Sequence, residues 1–372
     1  MLTHTLGCPR TFEFRREELR ILRGAGSTDA DADADSAGDD DVTDDDVTDD
    51  QVVESFLHEA IHPDGSLRQY LDCADVVAIV GNTLFAHGAV DARTAGFVPR
   101  DSTPFRNPDS KDPPARTCDD PSEWAREMNG YLRRGLDDFD SRPRWDAHRT
   151  TRGGEALLAL QNRSAMWGRS VVSNCYGDGG CISTVHSGVR RDEALRRARE
   201  TDDPSSFEGM CSDPADPSVA RWLLGGGIRR VVVGHKPTGD CPAVLSASAT
   251  GVEVVSGDTS FSDTEAEDNR GLALSVVEIV GENAWDNQLR VSGVLRDGTE
   301  HRSLFGRLHE GGVDDTAGDA GLGTQLPGGW WVKASTPPLY RLCRGMGRKV
   351  EYMSVHMMEL DALRSPSTSL PN

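Results

Sequence analysis

Residues 217–234 constrain the fold more than any other stretch of the chain. PSVARWLL reads as an amphipathic helix, Gly225-Gly226-Gly227 stops it, and after Ile228 and two arginines, Arg229 and Arg230, a strand of three valines leads into Gly234-His235. Glycine just past a helix is the usual stop signal, because it takes a left-handed backbone without a Cβ penalty. A helix that feeds directly into a short, wholly apolar strand is the unit of α/β folds, where both faces of the sheet are covered. VEVVSGD at 252–258 supplies a second strand of the same kind.

Upstream, VVAIV, Gly81-Asn82 and TLFAHG form two apolar runs around a two-residue turn, which predicts a buried hairpin ending at His87. Residues 98–121, rich in Pro, Asp and Ser, read as a long surface loop. A helix is expected over 122–139, with Trp124, Met128, Leu132, Leu136 and Phe139 on one stripe. Short helices are expected at 155–162 and 191–200. Later come the apolar run 272–280 and a hairpin turning at Asp297-Gly298. Strands alternating with helices, then late hairpins, predict an α/β sandwich with mixed sheets.

Charge narrows the function classes. The 372 residues hold 61 acids against 40 bases, a net charge of −21, and 12 of the aspartates fall in residues 29–50 with no base among them. That stretch has little apolar surface to bury, so 25–50 is expected to be a disordered acidic insertion. Binding to nucleic acid depends on Lys and Arg displacing counterions, so this chain is expected to bind neither nucleic acid nor an anionic membrane. A small phosphorylated ligand at one local positive site remains compatible. No run approaches the ~20 apolar residues of a bilayer span, and the first residues lack a secretory apolar stretch, so a soluble, cytoplasmic or otherwise intracellular protein is expected. The eight cysteines form no C-x-x-C pair, which suits reduced thiols.

The organisation expected is a short basic, weakly helical segment (1–24), the acidic insertion (25–50), a main domain (51–312) and a Gly- and Pro-rich C-terminal extension (313–372). QVVESFLHEAI opens the main domain as a helix with Val52, Phe56, Leu57 and Ala60 at helical spacing. His58, His62, His186, His301 and His309 are expected in solvent, and Met353, Met357 and Met358 in packing roles.

Two histidines carry the chemistry. His87 and His235 each follow an apolar strand directly and lie beside glycine. Ligands gather at the carboxyl ends of strands in α/β folds, and neutral imidazole is a common ligand for divalent ions. The alternative for either residue is a hydrogen-bonded structural role.

VVAIVGNTLFAHGAV resembles the "G-D/N-T, L-F-V-H-G-G" element of calcineurin-like metallophosphoesterases. IRRVVVGHKPTGDCPAV and VEVVSGDTSFSD resemble that family's "V-V-V-G-H-T-P" and "S-G-D-T-S-Y-S-D" elements, and AMWGRS its "P-V-W-x-R" segment. The order matches across about residues 65–280. The resemblance implies a four-layer α/β/β/α sandwich with two mixed sheets, incomplete on its N-terminal side, and a dinuclear centre of Mn, Fe or Zn class ions. It implies that His87 and His235 bind the second metal, that Arg169 clamps the substrate phosphate, and that a phosphate monoester, on a small molecule or a phosphoprotein, is hydrolysed by metal-bound hydroxide. Asp258 is a candidate to orient His235 from the second strand end.

The sequence departs from the family in its first half. No D-x-H, G-D-x-x-D-R-G or G-N-H-E/D series precedes His87; the one D-x-H, Asp146-Ala147-His148, follows it and sits in a polar stretch. Ala89 stands where the second glycine is expected and Lys236 where the threonine is expected. These departures favour the alternatives of a non-catalytic module binding a phospho-ligand or protein, or of a partial gene product.

Overall fold

The computed structural model describes residues 10–26, 47–88, 90, 94–101, 115–158, 165–166, 217–234, 238–248, 250–259, 273–295, 297–327, 330–346 and 349–364. The chain divides into two units, residues 1–74 and 75–372.

In the first unit, α1 (Thr11–Gly26), α2 (Asp49–Ile61) and α3 (Ser66–Cys73) are helices. Residues 27–46 of the expected acidic insertion lie outside the described residues, and its last two residues, Asp49 and Asp50, already belong to α2. Thr48 and Gln51 form a reciprocal capping box, and Asp49 and Asp50 become the first helical turn, where carboxylates favour the helix dipole. Of the expected apolar stripe, Val52 is buried and Phe56 half-buried, whereas Leu57 and Ala60 face solvent. Arg15 joins α1 to α2 through Ser55 (3.0 Å) and Glu59 (3.2 Å). Glu59 in turn accepts from the backbone and hydroxyl of Ser66, capping α3, whose own N-cap Gly65 has no side chain to offer.

In the second unit the first hairpin forms at the expected place: β1 (Val77–Val80) and β2 (Thr83–Ala86) pair antiparallel around Gly81, whose φ of 58° requires glycine, but β1 is the edge strand and its Val80 is exposed rather than buried. β3 (Phe97–Val98) and β4 (Arg116–Thr117) pair as a short ribbon, so the two ends of the expected long loop are joined. Helix α4 (Pro121–Ser141) starts at Asp120, whose carboxylate accepts the Glu123 amide, with Pro121 in the first turn. Its stripe of Trp124, Met128, Tyr131, Leu132 and Leu136 is buried. Asn129 of α4 accepts from the amides of Val76 and Val77 and donates to Val77 O (2.8–3.1 Å), occupying backbone groups at the start of β1. α5 (Glu155–Leu158) follows; the rest of the helix expected at 155–162, and all of that at 191–200, lies outside the described residues.

α6 (Pro217–Gly225) ends as the glycines predict, with Gly227 at φ 78° and Ile228 N–H bonded back to Leu223. β5 (Arg230–Val233), β6 (Ala243–Leu245) and β7 (Glu253–Ser256) complete a five-stranded sheet in the order β1-β2-β5-β7-β6. β2, β5 and β7 run parallel, and β1 and β6 flank them antiparallel. Val231, Val233 and Val254 enter one apolar cluster with Trp124, Met128 and Leu223, whereas Val255 and Val244 enter another with Leu289, Phe305 and Leu342. Burial on both faces explains why these strands read as unbroken apolar runs.

β8 (Leu274–Gly281), β9 (Asn287–Val294), β10 (Glu300–His309) and β11 (Gly312–Asp314) form an antiparallel meander, with the expected turn at Asp297-Gly298. The apolar run of β8 is an edge strand with Leu274 and Val276 exposed. β12 (Trp331–Thr336), β13 (Leu339–Met346) and β14 (Lys349–His356) form a third antiparallel sheet, followed by α7 (Met357–Leu363). The expected extension beyond residue 313 is therefore part of the body of this unit: Trp331 and Cys343 join the first cluster, and Trp330, Val332, Leu342 and Val355 the second. Met353 packs against the second cluster, but Met357 and Met358 are exposed. The protein is mixed α/β with several sheets. Among the described residues only the five-stranded sheet mixes strand directions, where two mixed sheets were expected. No helix of the described residues is long and apolar enough to cross a membrane.

Candidate functional site at three parallel strand ends

Parallel pairing sets the site. The registers Phe85↔Val232 and Val233↔Ser256 bring β2, β5 and β7 to their carboxyl ends side by side. The ladder then runs one step further: Gly234 N–H donates to His87 O and Gly257 N–H to Val233 O, each at 2.9 Å. His87, Gly234 and Gly257-Asp258 thus emerge next to one another at the edge where α/β folds collect ligands.

The His87 side chain reaches the surface, yet its neighbours shield it enough that desolvation lowers its pKa, with the Asp258 carboxylate opposing the shift. The imidazole is neutral at pH 7 and has a lone pair to give a metal or a proton. Asp258 is half-buried, and its backbone carbonyl accepts from both the amide and the hydroxyl of Thr238, at 2.9 and 3.2 Å. Those two bonds hold the loop after β5 against the end of β7. Gly88 N–H donates to Ala165 O (2.6 Å), which brings Ala165 beside the His87 turn.

Among the described residues no contact or positive φ demands glycine at 234 or 257. A Cβ at Gly234 would come no nearer than 3.6 Å to His87 O, and one at Gly257 no nearer than 3.9 Å to Val233 O, both ordinary contacts.

Of the residues expected at the site, His87 and Asp258 come together, while His235 and Arg169 lie outside the described residues. An imidazole and a carboxylate are apt donors for a divalent ion of Mn, Fe or Zn class. Among the described residues no three His, Cys, Asp or Glu side chains gather as a metal-binding group. Asp146, of the isolated D-x-H, turns its carboxylate on the amides of His148 and Thr150 at 3.0 and 2.8 Å, so it serves its own turn.

Two buried polar residues are not legible as such in the sequence. His301 was expected in solvent but is 3% exposed, directly across from Gly293, with Nε2 3.5 Å from Ser275 Oγ. Burial lowers its pKa, Asp240 opposes that, and Lys333 and Arg341 reinforce it. Lys333, inside the apolar run WWVKAS, is 2% exposed and its ammonium donates to Thr238 O. A lysine within a strand of otherwise apolar and small residues was the available signal. The described cysteines are free thiols, Cys73 exposed and Cys118, Cys241 and Cys343 buried; burial pushes Cys343 up to about 12.

No family model, curated protein or solved structure matches this chain.

Proposed function

We propose that the chain is a metal-dependent phosphoesterase of the calcineurin-like kind, a four-layer α/β/β/α sandwich that hydrolyses phosphate monoesters of a small molecule or a phosphoprotein. The observation that carries this reading is that His87 and Asp258 stand at the carboxyl ends of β2 and β7, two parallel strands that flank β5 on either side. The motif order along the sequence supports the same assignment.

In this reading His87 and His235 hold a divalent ion, and Asp258 steadies the strand-end loops around it. When bound, such ions neutralise phosphate oxygens and acidify a water molecule. His87 contributes a neutral ring at physiological pH, because desolvation keeps its pKa down. Arg169 offers a planar, permanently charged fork matched to two phosphate oxygens. The glycines at 234 and 257 leave room for a phosphate to approach the backbone.

A second reading, a non-catalytic module that binds a phospho-ligand or protein, is favoured by the absence of the first-metal motifs upstream of His87. An assay with p-nitrophenyl phosphate and added Mn²⁺ separates the two. The enzyme reading expects turnover that disappears in His87→Ala and His235→Ala and falls about 100-fold or more in Arg169→Met. Phosphate binding without turnover in the wild-type chain decides for the module. If neither turnover nor phosphate binding is found, both readings fall.

A further inference from the structure

Lys333 is a fully buried cation of the C-terminal sheet, and its ammonium reaches from that sheet to the loop that follows β5. Its side chain is 0% exposed and lies on the face of β12–β14 that carries Cys343 and Tyr352, which oppose each other in register. The ammonium donates to Thr238 O, lies 3.6 Å from Asp240 Oδ1 and stands 5.5 Å from the centre of the Tyr352 ring. Every one of these partners belongs to, or holds, the loop that follows β5. Tyr352 OH accepts the Asp240 amide at 2.9 Å, and Arg341 Nε lies 2.5 Å from Asp240 Oδ2 as an ion contact rather than a directed hydrogen bond.

Thr238 is the hinge of this arrangement. Its carbonyl is held by Lys333, while its amide and hydroxyl donate to Asp258 O. Lys333, Thr238 and Asp258 therefore form one continuous relay from the C-terminal sheet to the carboxyl end of β7. Gly239 fits beneath it because a Cβ there would overlap Tyr352 OH and sit 2.9 Å from Lys333 Nζ, and its φ of 93° is one that side-chain-bearing residues rarely adopt.

We propose that Lys333 is a positioning residue for the candidate site, fixing through Thr238 the backbone that carries Asp258 at the end of β7. The ammonium stays charged in this position. Burial works against the charge, and the Asp240 carboxylate, the Thr238 carbonyl and the Tyr352 ring face are the groups that offset it. A buried charge is costly to keep unless its bonds are made, so the relay is also a constraint on which loop geometry is allowed. The inference rests on the phosphoesterase reading for what the strand ends do, and on contacts alone for how they are held.

The test is amide hydrogen exchange on the full chain, with Mn²⁺ affinity measured alongside by calorimetry. Lys333→Met keeps the length of the side chain and removes its donors. Exchange of peptides spanning 238–242 and 256–259 is expected to quicken about tenfold. Mn²⁺ affinity is expected to fall about threefold. Val332→Ala, one residue away but facing the other cluster, loosens packing without touching the relay and leaves those peptides unchanged. Unchanged exchange in folded Lys333→Met, or an equal rise in Val332→Ala, overturns the proposal. If Lys333→Met does not fold, Tyr352→Phe decides: it removes only the acceptor of the Asp240 amide, and faster exchange at 256–259, a segment Tyr352 is not hydrogen-bonded to, supports transmission through Thr238 while unaltered exchange there overturns it. Absence of Mn²⁺ binding in the wild-type chain would sink the phosphoesterase reading and leave the exchange result to decide the role of Lys333.

Discussion

Arg230 and Glu253 face each other across the parallel pair β5–β7, Nε to Oε1 at 2.5 Å, with neither side chain open to solvent. Arg230 extends the link to Asn287 Oδ1 (2.5 Å), and Asn287 donates to Asn82 Oδ1 (3.0 Å). One arginine thereby ties the amino ends of two central strands to the turn of the first hairpin and to the start of β9. Removing one partner strands the other charge in an apolar interior. Glu253→Gln and Arg230→Met are each expected to cost about 3–5 kcal/mol in urea unfolding, and the double variant Arg230→Met/Glu253→Met to recover most of that loss. Additive losses in the double variant would mean the pair is not coupled.

Gly293 sits in β9 with Ser275 of β8 on one side and His301 of β10 on the other. A Cβ at this position would overlap Leu274 O and lie 2.9 Å from Ser275 Oγ, so the edge strand would have to move. Gly293→Ala is expected to destabilise the chain by about 1–3 kcal/mol, read from the urea midpoint. Gly298→Ala would report φ strain alone, because its Cβ meets no atom within 4 Å.

His301 makes stability depend on pH. Its folded pKa lies below the ordinary 6.5, chiefly through burial, so the unfolded chain takes up the proton first as pH falls. The stabilisation from the neutral ring is fully present above 6.5 and drains away below it, until the folded ring protonates as well. Urea midpoints should fall as pH is lowered from about 7.5 to about 5.5, and fall less in His301→Gln. Parallel pH profiles for the two proteins would assign the dependence to another group.

What the sequence made legible is what local pattern can encode. The first hairpin, the long helix over Trp124 to Leu136, the glycine stop at Gly225–Gly227 and the strands at Val231 and Val254 all announce themselves within a few residues. Arg230 read as a residue before a strand, because an arginine inside a buried strand makes sense only once Glu253, 23 positions away, is opposite it. Lys333 and His301 were hidden for the same reason, their neighbours Thr238 and Ser275 lying 95 and 26 residues off. The C-terminal sheet was missed because glycines and charges break its apolar pattern. At the site, the juxtaposition of His87 with Asp258 follows from the parallel order of β2, β5 and β7, which no single segment specifies.

The ionic lock and the open glycines occupy opposite ends of the same two strands. Anchorage is settled at Arg230 and Glu253, and the carboxyl ends at Gly234 and Gly257 inherit a foundation they do not themselves supply. Such a division lets descendants of this chain retune what they recognise by rewriting the loops beyond those glycines, while the lattice beneath stays intact.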